Sequence, residues 1–217
     1  SPSRGLGDVY KRQGCIFEKM KKTIFQKITF LKITLLSLFV ISTPVESSNL
    51  SEKQLINMAR DKGVVFLLRH ALAPGMGDPK NFNVKDCKTQ RLLSEAGRVQ
   101  ASMIGDKFRR NGFKYALVKS SQWCRCKETA ELLKLGPVEE MDFLNSFFET
   151  PEDEKGQTAL LREWLFEQTA TSRLVLVTHQ VNITALTGVV PSSGELVVIK
   201  LKKPSIIEVV GSINTRY

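Results

Sequence analysis

Two short runs, Val64-Val65-Phe66-Leu67-Leu68 and Leu174-Val175-Leu176-Val177, constrain this chain most. Each is continuously apolar and rich in β-branched residues, with no polar residue at alternate positions. A strand of that kind has no face to give to water, so it belongs inside a sheet covered on both sides. Helical patterns surround the two runs. Glu52 to Lys62, capped by Ser51 and stopped by Gly63, precedes the first. A helix capped by Ser94 is predicted to run to about Arg110, with Ala96, Val99, Met103, Ile104 and Phe108 on one face and Gly112 past its end. A short strand at Tyr115 to Ser120 leads into a helix over Cys124 to Leu135, and Gly156 to Gln168 carries the stripe Leu160, Leu161, Trp164 and Leu165. Met141 to Phe148 is ambiguous between strand and loop. After the second run, Val181 to Leu186 suits a short helix, and Leu196 to Leu201 with Ile206 to Val210 suits a terminal hairpin. This alternation predicts a three-layer α/β/α domain with a mostly parallel central sheet.

In such sheets ligands bind beyond the carboxyl ends of the strands. Arg69 and His70 stand where the first run ends, Thr178 and His179 where the second ends, and Arg125 falls in the first turn of the helix after the middle strand. The sequence holds just 2 His, and both lie at such positions. From Leu72 to Leu93 the chain is rich in Pro, Gly, Asp, Asn and Lys, the composition of a long surface loop, and loops of that length are commonly functional or disordered. Gly75-Met76-Gly77 within it is a flexible turn and lacks the Gly-Lys-Ser/Thr ending of a phosphate-cradling loop.

The first 47 residues require separate treatment. Met20-Lys21-Lys22 opens a basic segment that leads into the apolar run Ile33 to Ile41, followed by Pro44 and the small-residue pattern Val45-Glu46-Ser47. This is the layout of a secretory signal peptide over residues 20–47, with cleavage near Ser47, and the nine apolar residues fall short of the roughly 20 that span a bilayer. Residues 1–19 are upstream or non-native sequence in this reading. Residues 48–217 then form a single exported domain, periplasmic or secreted, with no stable membrane span.

Residues 1–47 hold 8 of the 32 Lys and Arg and 3 of the 22 Asp and Glu, which leaves +5 of the formal +10 for the domain. With its basic residues scattered and no aromatic-interleaved stripe, the domain is not expected to bind nucleic acid. Export would place Cys87, Cys124 and Cys126 in an oxidising compartment, where Cys87 could pair with either Cys124 or Cys126. The spacing of Cys124-Arg125-Cys126 does not suit zinc, and no metal or cofactor is expected.

Phosphoryl transfer without a metal requires fixed cationic donors around the equatorial oxygens. Two Arg and two His meet that requirement, and Arg suits it because its planar fork binds two oxygens and stays charged. A neutral imidazole whose other ring N–H is held by a backbone acceptor can serve as a nucleophile. The segments Leu67-Leu68-Arg69-His70, Leu93-Ser94-Glu95-Ala96-Gly97, Ser120 to Ala130 and Val177-Thr178-His179 together resemble the histidine phosphatase, or phosphoglycerate-mutase-like, superfamily, and within it the small exported branch. The resemblance covers about Val64 to Leu201.

It implies that Arg69, Arg125 and His179 bind the phosphate with His70, and that His70 carries the phosphoryl group as a phosphohistidine. Ala71 replaces the usual Gly after the Arg-His pair, and Gln180 stands where a related branch has an acid after the second His. Glu149 is therefore the preferred proton donor, with Glu195 and the cluster Glu152, Asp153, Glu154 as alternatives. Trp123 and Trp164 are expected to be packing residues.

The expected activity is metal-independent hydrolysis of a phosphomonoester, its substrate a small molecule or glycan or a phosphoprotein. A phosphomutase is the nearest rival. Mutases of the superfamily resemble longer chains with inserted shields, whereas here the segments 72–93 and 143–155 alone could cover the site. A non-catalytic phosphate-binding module is the alternative from another class.

Overall fold

The computed structural model describes residues 50–215. The expected signal segment, residues 20–47, and the stretch before it lie outside the described residues. Helix α1 (Glu52–Asn57) carries a capping box in which Ser51 Oγ accepts from Gln54 N and the Gln54 side chain accepts from Ser51 N. It tightens into a 3₁₀ turn at Met58–Arg60. Strand β1 (Val64–Arg69) follows, then a long loop holding one 3₁₀ turn at Cys87–Thr89. Helix α2 (Glu95–Arg110) is capped by Ser94, as predicted. Strand β2 (Leu117–Ser120), helix α3 (Cys124–Leu132), the short strand β3 (Val138–Glu140), helix α4 (Glu154–Glu167), strand β4 (Leu174–Thr178), helix α5 (Gln180–Thr187) and the hairpin β5 (Leu196–Lys202) and β6 (Ile206–Ile213) complete the order.

The six strands form one mixed sheet in the order β3-β2-β4-β1-β5-β6. The first four of these run parallel, while β5 is antiparallel to β1 and β6 antiparallel to β5. The sequence reading of a mostly parallel three-layer α/β/α sheet holds. Val64, Phe66 and Leu68 pack with α1, α2 and α3 on one face, and Val65 and Leu67 pack with α4 and α5 on the other. Both faces of β1 are thus covered, as its uninterrupted apolar run requires. Among the described residues no helix is long and apolar enough to cross a membrane.

Three details differ from expectation. Met141 to Phe148 is neither strand nor plain loop but holds a 3₁₀ turn at Asp142–Leu144, and β3 comes earlier, at the sheet edge, where Val-Glu-Glu needs little apolar character. Leu160, placed on the buried stripe of α4, is 57% exposed. The buried face of α2 is Gly97, Ala101, Ile104, Gly105 and Phe108, so Val99 and Met103 face outward. The cause is close backbone approach. A Cβ on Gly97 would lie 2.1 Å from the Leu72 carbonyl oxygen, and one on Gly105 would lie 2.1 Å from that of Leu133. A face built from glycines is invisible to a hydrophobic periodicity.

Gly97 packs at the neck of the long loop. There Leu72 O accepts hydrogen bonds from Ser94 N at 3.0 Å and Ser94 Oγ at 3.2 Å, so the two ends of the segment meet.

Candidate active site

Parallel pairing sets the centre of the site. Arg69 on β1 is in register with Thr178 on β4, so the residues that follow, His70 and His179, leave the sheet side by side. Their ring centroids are 5.4 Å apart. Strand β2 flanks β4 on its other side and ends in the same layer, Ser120 opposite Val177, which brings Ser121 and the start of α3 to the same edge. Arg125 projects from the first turn of α3. The four side chains expected from the sequence, Arg69, His70, Arg125 and His179, line one cavity of about 770 Å3.

His70 is buried and held at both nitrogens. Its Nδ1 is 2.8 Å from the Ala71 carbonyl oxygen, which only accepts, so Nδ1 carries the proton and Nε2 keeps its lone pair. Arg125 Nε donates toward that lone pair at 3.3 Å. The backbone beside it is fixed by Thr129, whose hydroxyl accepts from Ala71 N at 3.1 Å and donates to Arg125 O at 2.7 Å. Burial, and then repulsion by the Arg125 guanidinium, lower the His70 pKa from 6.5 to about 3, against the opposing pull of the Ala71 carbonyl. His70 is a neutral imidazole at neutral pH.

His179 is pushed well below its ordinary value by burial first and by its charged and imidazole neighbours second. Its Nε2 lies 2.9 Å from Ser121 Oγ and 3.4 Å from Cys126 Sγ. Ser121 Oγ in turn donates to Asn145 Oδ1 at 3.1 Å. Burial drives the Cys126 thiol up to about 12, so it stays protonated and is an inert packing group beside the imidazole.

Arg69 donates through Nη1 to Pro191 O at 2.8 Å, while its buried Nε has no partner among the described residues. Burial and the nearby Arg125 lower its pKa. Such an orphaned cationic donor, in a cavity with a second and third Arg, is suited to an anion with several acceptor oxygens.

Two residues of this cavity were not foreseen. Asp78, from the Leu72 to Leu93 loop, accepts a bidentate pair from Arg125, Nη1 to Oδ1 at 2.8 Å and Nη2 to Oδ2 at 3.1 Å. Burial raises its pKa, but hydrogen bonds from Arg125, the Arg91 amide and Trp123 outweigh this and leave it below the usual 3.8. Arg91, near the loop's other end, donates through Nε to Gly77 O at 2.9 Å and through Nη1 to Ala73 O, bracing the loop from within. Neither had a distinguishing signal beyond lying in a long polar loop.

The loop is also tied covalently: Cys87 pairs with Cys124, one residue before Arg125, and Cys126 remains free. Gln90 adds to this, accepting from Cys124 N at 2.9 Å. Trp123 is more than the packing residue expected. It stacks on Phe82, centroids 4.8 Å apart, makes a T-shaped contact with His179, and lines the cavity. Trp164 packs against Phe143, away from the cavity.

Among the carboxylates considered as proton donors, Glu149 lines the cavity and lies over Gly77, where an added Cβ would come within 2.6 Å of Oε1. Glu195 instead accepts from Ser192 N at 2.9 Å and does not line the cavity. Glu152 and Asp153 line a separate surface depression, and Glu154 is exposed at the start of α4.

No protein-family model and no curated protein matches the sequence. Solved structures do match the fold. The protein histidine phosphatase SixA complexed with tungstate aligns with a TM-score of 0.54 at 15% identity over 70% of this chain and 97% of that chain. A phosphoserine phosphatase from Entamoeba histolytica in complex with 3-phosphoglyceric acid aligns at 0.52 and 13% identity over 70% of this chain and 98% of that chain. Mycobacterial hydrolase 1 aligns at 0.51 and 17% identity over 67% and 94%. The chain shares the phosphoglycerate-mutase-like α/β fold with these solved structures.

Proposed function

We propose that this chain is a metal-independent phosphatase that hydrolyses phosphomonoesters through a phosphohistidine on His70. One observation carries the reading. In a buried cationic pocket, His70 Nδ1 is held by a carbonyl 2.8 Å away while its unprotonated Nε2 meets Arg125 Nε at 3.3 Å. An imidazole held in that tautomer is suited to act as a nucleophile once Arg125 Nε exchanges it for a phosphoryl oxygen. The neighbouring fold holders, one bound to a tetrahedral oxyanion and one to a phosphorylated acid, are in keeping with it.

In the first step the Nε2 lone pair attacks phosphorus as the bond to the leaving oxygen breaks, and Glu149 gives that oxygen a proton. Arg125 Nε turns from the imidazole to a phosphoryl oxygen, and Arg69 Nε and His179 supply further donors to the equatorial oxygens. In the second step water attacks phosphorus, Glu149 takes its proton, and the P–N bond breaks to restore the Nε2 lone pair. An entering phosphate offsets the mutual repulsion of the Arg and His groups, so it favours the protonated form of His179 that burial and those neighbours disfavour. Met76, Phe82 and Phe148 are among the residues lining the cavity, whose volume of about 770 Å3 suits a substantial leaving group on a small molecule, glycan or protein.

We also take the chain to be exported. The Cys87–Cys124 pairing supports an oxidising compartment, and sequencing the amino terminus of the mature protein, expected near Ser48, checks it.

The mechanism is tested by turnover of a chromogenic aryl phosphate without added metal. His70→Ala is expected to lower kcat by at least about 10³-fold, and a radiolabelled substrate should leave acid-labile phosphate on wild-type protein alone. Equal turnover in the variant would sink the mechanism.

A further inference from the structure

The guanidinium of Arg125 has five N–H groups, and their partners divide them unevenly. The end-on pair, one hydrogen from each of Nη1 and Nη2, goes to Asp78 at 2.8 and 3.1 Å. The outer hydrogen of Nη1 faces Arg91 O at 3.4 Å. What remains is a single edge, the Nε–H and the outer Nη2–H, and this edge faces His70 Nε2 at 3.3 Å. We propose that Asp78 is the positioning residue of the site, which consumes one fork of Arg125 so that the other is reserved for the transferring phosphoryl group. The inference rests on the reading of this cavity as a phosphate site.

The surroundings of Asp78 show why it stays in place when an anion arrives. Its Oδ1 also accepts from Arg91 N at 3.0 Å, and its Oδ2 from Trp123 Nε1 at 3.0 Å. Four donors satisfy the carboxylate, and displacing it would leave a half-buried amide and a half-buried indole N–H without partners. The same four donors hold it ionised, so it has no proton to give and leaves the acid role to Glu149. Asp78 also reaches His179 indirectly, because the indole it fixes meets that imidazole in a T-shaped contact with ring centroids 5.5 Å apart. One carboxylate from the loop thereby sets the rotamer of a residue on α3 and of the aromatic wall beside β4.

The test compares wild type with Asp78→Asn and Asp78→Glu, reading inorganic phosphate binding by calorimetry and kcat, KM and the pH profile with an aryl phosphate. Asp78→Asn is expected to bind phosphate about tenfold more weakly and to lose about 10²-fold in kcat. Its pH profile should keep the wild-type shape at reduced height, and Asp78→Glu should recover part of both losses. Unchanged or tighter phosphate binding in Asp78→Asn would overturn the proposal, since the carboxylate would then merely compete with the anion. Loss of the alkaline limb in Asp78→Asn would also overturn it, by making Asp78 the acid. Equal losses in the two variants would reduce its role to folding. Because phosphate binding is read without turnover, a wild type that binds phosphate but hydrolyses nothing would reject the phosphatase reading and leave this one standing.

Discussion

Arg69 and His70 on one side of the cavity, and Asp78 and Arg91 on the other, face the same space but are placed by different forces. The first pair continues β1, whose ladder to β4 runs from Val65 through Arg69. Their positions follow from backbone hydrogen bonds in a sheet buried on both faces. The second pair sits on a loop with one 3₁₀ turn and is held by side chains: Arg91 to Gly77 and Ala73, Asp78 to Arg125 and Trp123, and the bond from Cys87 to Cys124. The strand side is thus set by a ladder of backbone bonds, whereas the loop side depends on a few identifiable side-chain contacts.

The sharpest challenge to this contrast is to remove the disulfide. Closing a loop of 37 residues is worth about 4 kcal/mol in the chain-entropy treatment. The double variant Cys87→Ser, Cys124→Ser should lose most of that in urea unfolding. Hydrogen exchange should quicken in residues 72–93 while amides of β1 and β4 stay protected, and equal loss of protection in the strands would end the distinction.

Next in size is Glu149→Gln. If Glu149 protonates the leaving oxygen, the variant should lose about 10²-fold in kcat on alkyl phosphates and far less on aryl phosphates with acidic leaving groups. A uniform loss would remove Glu149 from that role.

The smallest effect concerns the strand side. The two imidazoles are kept neutral by burial, so the unfolded chain binds more protons than the folded one below the ordinary 6.5. Their contribution to stability is complete above pH 6.5 and is lost as pH falls from there, down to about 3 for His70. The expected slope is about 1.4 kcal/mol per pH unit for each histidine. In His70→Ala the slope between pH 6 and 4 should fall by about one such unit, measured by urea midpoints across that range.

How much of this was legible beforehand follows the same division. Val64 to Leu68 and Leu174 to Val177 announce buried parallel strands, and a parallel sheet brings the residues after them, His70 and His179, to one edge; that β1 and β4 are also adjacent is a property of the topology that the sequence does not display. Arg125 could be placed because Ser120 ends a strand of the same sheet. Asp78 and Arg91 could not, because no periodicity governs a loop and their pairing with Arg125 and Gly77 depends on three-dimensional contacts alone. The choice of Cys124 over Cys126 turns on which side of α3 each faces: Cys124 toward the loop, Cys126 into the core against Thr178 and His179. On α2, Val99 and Met103 mimic a core stripe while Gly97 and Gly105 form the real contact.

The closed neck at Leu72 and Ser94 gives the segment between them the properties of a cassette. Because its ends already meet, another segment of different length can be grafted there for a small change in closure entropy, about 0.6 kcal/mol per doubling. The histidines would stay where the sheet puts them while the walls and the clamp on Arg125 are exchanged together. The chain therefore carries the wall of the cavity and the clamp on Arg125 on one segment, and leaves the two histidines with the sheet.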